Sequence, residues 1–318
     1  MDCIRRCIIY NLVVINPYLC GLMKLKEYIL VGFIAVLGLS SCGKFEKFRK
    51  SANLPTKYKA AMDYYKKKDF DKAGILFDEI MPLMKGDSTQ ELATFYQAYC
   101  DFNLGNYTLA NTHFKKFSEV FSRSEYAEEA IYMSAYSLYK DSPNYNLDQT
   151  GTLAAINEIQ SYLNNYPETK FRDECTNIIK ELRKKLEKKA FEKAKLYHKT
   201  SPFNIASLKS SVIEITNFQR DFPDSDYNEE MAYMKVLAQY DLAKSTIENK
   251  QKERFEEASK FYLELIDKYP QSAFLKDAER MYEQSNKEVE RISKLEAEYK
   301  AMLEKEKSNT SKVATGPQ

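Results

Sequence analysis

FPDSDYNEEM, residues 222–231, is one of four near-copies of a single phrase. FSRSEYAEEA ends at Ala130, YPETKFRDEC at Cys175 and YPQSAFLKDA at Ala278. Each copy sets an aromatic residue, then proline (Ser122 in the first copy), then Ser or Thr two places further on, then a second aromatic. A helix running up to Phe121, Tyr166, Phe222 or Tyr269 has to stop there. In three copies the reason is Pro167, Pro223 or Pro270, which lacks an amide donor and clashes with the preceding turn. Ser124, Thr169, Ser225 or Ser272 then offers an oxygen to the exposed amides of the next helix, and acidic residues further on favour its positive end. A helix-stop and helix-restart signal written four times predicts an array of helical repeats.

The other half of each repeat lies upstream of its joint. Ala61, Tyr64, Lys68, Asp69, Phe70, Ala73 and Phe77 fall where tetratricopeptide repeats carry small, aromatic, Gly, Asp, aromatic, Ala and aromatic residues. Ala98, Gly105, Asn106, Tyr107, Ala110 and Phe114 follow the same template, 37 residues on from Phe70 to Tyr107, against a family period of about 34. A third unit is expected around Ala135, Leu138, Ala155, Ile159 and Tyr162, with DSPNYNLDQTGT inserted between its helices. A fourth uses Ala190, Ala194, Ser211, Ile215 and Phe218, and a fifth Ala238, Phe255, Ala258, Tyr262 and Leu265. Small residues let paired helices approach, and aromatics at spacings of three or four fill the space between pairs. The fold class is therefore all-α, an α-α superhelix (solenoid) of about five tetratricopeptide-like repeats plus a long C-terminal helix. Most of the 24 Tyr and 18 Phe are expected to fill core, and some to line the concave face that such arrays present.

The N-terminus carries a second signal. From Met23 the chain reads MKLKEYILVGFIAVLGLSSCGK, with Lys24 and Lys26, an apolar stretch from Tyr28 to Leu39, then Leu39-Ser40-Ser41-Cys42. The apolar stretch is short of the roughly 20 residues that span a bilayer, and it ends at small residues as a secretory signal does. Its last four residues look like the lipobox of bacterial lipoproteins, which makes Cys42 the lipidated first residue of the mature chain. The expected divisions are an upstream extension at 1–22, a signal peptide at 23–41 and a lipidated linker at 42–55. An N-terminal repeat lobe at 56–175 and a C-terminal lobe at 176–285 follow, then a charged helix extension at 286–307 and a disordered tail at 308–318.

Charge and chemistry narrow the function classes. The chain has 48 basic and 46 acidic residues, and residues 1–41 hold four of the first and two of the second. The mature chain is thus balanced, which argues against nucleic acid as a partner. Cys100 and Cys175 lie in different repeats at apolar helix positions and read as buried free thiols. His113 and His198 have no His or Cys at ligand spacing, so no metal is expected. No Gly-rich phosphate loop, zincin helix or nucleophile elbow is present, and the sequence points to neither a catalytic residue nor a cofactor.

With a lipobox, about five tetratricopeptide-like units and joints of the YPxSxYxxEA type, the chain resembles the BamD family of outer-membrane β-barrel assembly lipoproteins, from about Cys42 to Tyr282. FEKFRKSANLPTKYKAAMDYYKKKDFDKA and FPDSDYNEEM carry the resemblance best. It implies five repeats in two lobes and an anchor in the inner leaflet of the outer membrane, on the periplasmic face. It further implies docking of the C-terminal repeats to the POTRA domains of the barrel-forming subunit, and unfolded outer-membrane protein precursors received on the N-terminal repeats. Tyr58, Tyr64, Tyr65, Tyr96 and Tyr99 are the residues expected to line a substrate groove. A division or envelope scaffold and a surface glycan-binding lipoprotein are the alternatives. The first favours a coiled-coil N-terminus and the second abundant Trp, and this chain has no Trp.

Overall fold

The computed structural model describes residues 42–84, 86, 89–202 and 204–313, without the side chains of Cys42, Glu248 and residues 308–313. The expected upstream extension and signal peptide lie outside these residues, as does the Cys42 side chain. Twelve α-helices and no strand occur among the described residues. They are α1 (Cys42–Arg49), α2 (Leu54–Lys66), α3 (Phe70–Ile80), α4 (Gln90–Asn103), α5 (Tyr107–Val120) and α6 (Ala127–Asp141). After these come α7 (Thr150–Asn165), α8 (Arg172–Lys199), α9 (Ala206–Asp221), α10 (Asn228–Lys244), α11 (Glu248–Lys268) and α12 (Leu275–Val313). The chain divides into two compact units, one ending at Asp141 and one beginning at Ser142.

Within each unit, every helix packs on the next in sequence: α2 to α6 in the first, α7 to α12 in the second. Contacts also skip one helix, α2 with α4, α8 with α10 and α10 with α12. That pattern is the repeat array, in which the first helix of a pair meets the first helix of the next within a unit. The small residues of the template sit where helices touch: Ala61, Ala73, Ala98, Ala110, Ala155, Ala194, Ser211, Ala238 and Ala258 are all buried. Phe77, Phe114, Tyr162, Phe218 and Leu265 are fully buried beside them, each contributing about 1.5–3 kcal/mol of apolar burial. Ala190, read as a small contact position, is only half-buried at the edge of the Phe191, Ile215 and Phe218 cluster.

The four joints share one geometry. The stop residues Phe121, Tyr166, Phe222 and Tyr269 have φ between −112° and −132° and ψ between 48° and 70°, outside the helical region. Their amides still donate to the last turn, at 2.8 or 2.9 Å. The hydroxyls of Ser124, Thr169, Ser225 and Ser272 accept from the amides of Tyr126, Phe171, Tyr227 and Phe274, at 3.0–3.3 Å. Helices restart one residue beyond those amides, so the hydroxyls lock the turn rather than cap the helix proper. In three joints the second aromatic then lies on a ring of an earlier helix: Tyr126 on Phe95 at 4.9 Å, Tyr227 on Phe191 at 4.3 Å, Phe274 on Tyr233 at 4.7 Å.

Turns inside the repeats need a left-handed residue. Gly105 takes φ 81° between α4 and α5, and Lys68, at the matching place between α2 and α3, takes φ 61°. A side chain in that region costs roughly 1 kcal/mol, which glycine avoids. Asp69 next to it accepts the Lys72 amide and opens α3.

Two end segments hold more helix than the sequence suggested. The stretch 42–55 contains α1 and the start of α2, and Phe45 and Phe48 of α1 pack against the core of the first repeat. α12 reaches Val313, into the stretch 308–318 expected as a disordered tail. Ala278, Met281 and Ile292 of α12 are buried, whereas Leu295, Tyr299, Met302 and Leu303 are exposed.

Candidate functional site

Tyr58 and Tyr65 stand seven residues apart on α2, two turns along one face. Tyr96 and Tyr99 stand one turn apart on α4, which packs beside α2. The rings of Tyr65 and Tyr96 meet at 4.8 Å, and Tyr58 stands edge-on to Phe77 at 6.4 Å. Phe95, buried at 3% exposure, backs the group: its ring lies 5.9 Å from Tyr96 and 5.0 Å from Tyr99. All five expected tyrosines are half-buried.

Tyr64 is the exception among them. One residue on from Tyr65 is about 100° around the helix, and its ring turns to Phe45 of α1 at 5.7 Å, with the Lys72 amine over it. The structure therefore brings together Tyr58, Tyr65, Tyr96 and Tyr99, and leaves Tyr64 in the contact between α1 and α2.

Burial and neighbouring groups raise three of these phenols, those of Tyr58, Tyr65 and Tyr99. Burial, then the neighbouring Tyr96, raises Tyr58. Tyr65 is pushed up to about 12, by burial first and then by Cys100, Tyr96 and Glu129. Tyr99 is raised furthest, by burial and by donating to the Glu129 carboxylate at 2.5 Å. Glu129 of α6, together with Tyr126 at the joint and the Glu91 carboxylate that accepts from Ser124, completes an aromatic and acidic surface. Neutral phenols beside carboxylates can donate and accept hydrogen bonds while their ring faces cover apolar groups. Such a surface suits binding.

The sequence did not single out Phe95 or Glu129. Glu129 has no local signal, and for Phe95 the signal is a pattern of the first helix in a pair: Glu91 four residues before Phe95, and Glu187 four residues before Phe191. In both, the glutamate accepts from the joint serine, Ser124 or Ser225, and the aromatic lies on the joint aromatic.

A separate cavity of about 460 Å³ lies between α3, α4 and α5, walled by Met81, Pro82, Val120 and Phe121, with Asp78 and Gln97 among its polar lining. Nearby, His113 Nδ1 lies 2.8 Å from Asp101 Oδ2, and in the second unit His198 Nε2 lies 3.3 Å from Asp241. Both histidines thus join neighbouring helices. Cys100 and Cys175 are free and buried, their thiols pushed up to about 12 and about 11, chiefly by burial. Among the described residues no group of three or more His, Cys, Asp or Glu is placed to hold a metal ion, and no helix is long and apolar enough to cross a membrane.

A search of curated proteins returns no match. The profile of one family, YfiO, described as outer membrane lipoprotein, matches residues 52–206 and 202–302. Those matches take in every repeat helix from α2 to α11 and the packed part of α12. A chain matched over most of its length in this way belongs to the YfiO family of outer membrane lipoproteins.

Proposed function

We propose that this chain is the non-catalytic lipoprotein subunit of the β-barrel assembly machinery. In this reading Cys42 is acylated and anchors the protein on the periplasmic face of the outer membrane. The C-terminal repeat lobe, 176–285, docks to the POTRA domains of the barrel-forming subunit. The N-terminal lobe, 56–175, receives unfolded outer-membrane protein precursors. Family membership supports the role in outer membrane assembly. The observation that carries the client site is the convergence of Tyr58, Tyr65, Tyr96 and Tyr99 on α2 and α4, with half-buried rings and with the Tyr65 and Tyr99 phenols raised by burial.

The chemistry matches the client. An unfolded barrel strand presents apolar side chains on alternate positions and unpaired backbone amides between them. The tyrosine rings cover the apolar side chains, and the phenol oxygens and Glu129 accept from the amides. At about 25 cal/mol per Å² of apolar burial, a strand covering two such rings gains only a few kcal/mol. A hold of that size is reversible, as delivery of a client requires.

Two measurements test the reading. A tagged mature protein purified from cells is expected to bring a POTRA-bearing barrel protein with it. Recovery of division proteins or glycan in its place would reject the assignment. A photoreactive residue at Tyr58 or Tyr96 is expected to crosslink to precursor peptides, and crosslinks that form only elsewhere would move the client site.

A further inference from the structure

The overall charge balance conceals an uneven distribution. Between Cys42 and Lys68 stand nine Lys and Arg against only Glu46 and Asp63, and the chain from Asp69 onward carries the compensating acidic excess. The start of this basic stretch is α1. Its Phe45 and Phe48 turn inward onto the first repeat, and Arg49 Nε lies 3.5 Å from Glu79, the carboxylate that Lys57 also meets, at 2.8 Å. Lys44 and Lys47 on α1, and Lys50 in the turn directly after it, are exposed, and among the described residues no ion pair engages them.

Distance gives this arrangement its consequence. Only Gly43 and Lys44 separate Cys42 from the first packed ring, Phe45, a span of about 10 Å even if fully extended. α1 itself is about 12 Å long, so all three lysines stay within roughly one to one and a half Debye lengths of the acylated position at physiological salt. At that range an anionic leaflet attracts each of them.

We propose that α1 is a strut rather than a tether: it seats the first repeat on the membrane with Lys44, Lys47 and Lys50 against the phosphates of anionic lipid headgroups. The proposal rests on the acylation of Cys42 given under Proposed function. A strut restricts the orientations that the tyrosine face can take relative to the lipid, which a flexible linker would leave free.

The test places a fluorophore on Ala52→Cys, the exposed residue between α1 and α2, in the acylated mature protein. Cys100 and Cys175 are buried, which directs the label to position 52. Vesicles of phosphatidylcholine, with or without phosphatidylglycerol, carry a nitroxide on a fraction of their headgroups, and acyl incorporation is measured on the same sample. Quenching is expected that strengthens with phosphatidylglycerol, weakens as salt rises, and falls to the phosphatidylcholine level when Lys44→Gln, Lys47→Gln and Lys50→Gln are combined. An acylated protein whose fluorophore is unquenched, or quenched equally with and without the three lysines, overturns the strut. A protein that carries no acyl group overturns the lipoprotein reading instead. In that event the unacylated Cys42→Ala chain decides for the lysines: its partitioning onto phosphatidylglycerol vesicles is expected to fall about fivefold per lysine replaced, and equal partitioning rejects their role.

Discussion

In the unit ending at Asp141, Phe95 touches five rings, those of Tyr96, Tyr99, Phe114, Phe117 and Tyr126, at 4.9 to 6.2 Å. In the unit beginning at Ser142 the ring contacts are single pairs, of which Phe191 with Tyr227, Tyr233 with Phe274 and Tyr262 with Tyr282 are stacked. Tyr162 with Tyr166, Phe218 with Phe222 and Tyr240 with Phe255 are tilted. There the surrounding space is filled by Ile215, Met231 and Met234, and lysine amines cover ring faces, Lys195 over Phe191 and Lys235 over Phe261. One repeat template therefore supports two kinds of interior. A branched ring network brings tyrosines to the surface of the first unit, whereas isolated pairs with aliphatic filling close the second. Aromatic content alone does not set how the rings are arranged, and the difference lies in whether they share a common centre.

Removing that centre breaks the comparison most sharply. Phe95→Ala is expected to cost about 5 kcal/mol and Phe191→Ala about 3, the spread typical of buried Phe truncations, read by chemical denaturation followed by far-ultraviolet circular dichroism. Equal losses would mean that the network adds nothing beyond burial. The joint serines sharpen the contrast at the next level. Ser124 accepts the Tyr126 amide at 3.0 Å and also donates to Glu91, while Ser225 makes both corresponding contacts at 3.3 Å. Ser124→Ala should cost about 2 kcal/mol and Ser225→Ala about 1, in the range for hydrogen bonds that include a charged partner.

Smaller effects address the turns. Lys68→Gly is expected to raise stability by about 1 kcal/mol, because it relieves the left-handed residue that Gly105 already accommodates in the next repeat. A loss of stability would show that the Lys68 side chain compensates elsewhere. Ser122→Pro should add about 0.5 kcal/mol by restricting the unfolded chain. Phe121 before it, at φ −112° and ψ 48°, already lies near the conformation of Phe222 before Pro223, at φ −132° and ψ 64°. A thermal midpoint that fails to rise would show that the first joint differs from the other three in more than its missing proline.

Much of this was legible from local pattern. The four joints, the small contact positions and the inserted segment before α7 all follow from residues that act on their own backbone or at helical spacing. The site was legible only in part. Tyr64 and Tyr65 are adjacent and identical in type, and helix phase relative to α1 and α4 separates their roles. Glu129 reaches Tyr99 from 30 residues away, and Glu91 reaches Ser124 from 33, distances at which no local rule selects a partner. α1 has eight residues, too few to hold as an isolated helix in water, so its formation depends on Phe45 and Phe48 finding the first repeat.

By itself the sequence determined where the chain stops being helical and starts again, because proline, the joint hydroxyls and left-handed turn residues impose their geometry within a few bonds. Tertiary structure decided which aromatics become core, which become a face, and which carboxylates hold them. Those outcomes depend on the rotation of each helix about its axis and on the neighbour it meets, and packing of whole helices sets both.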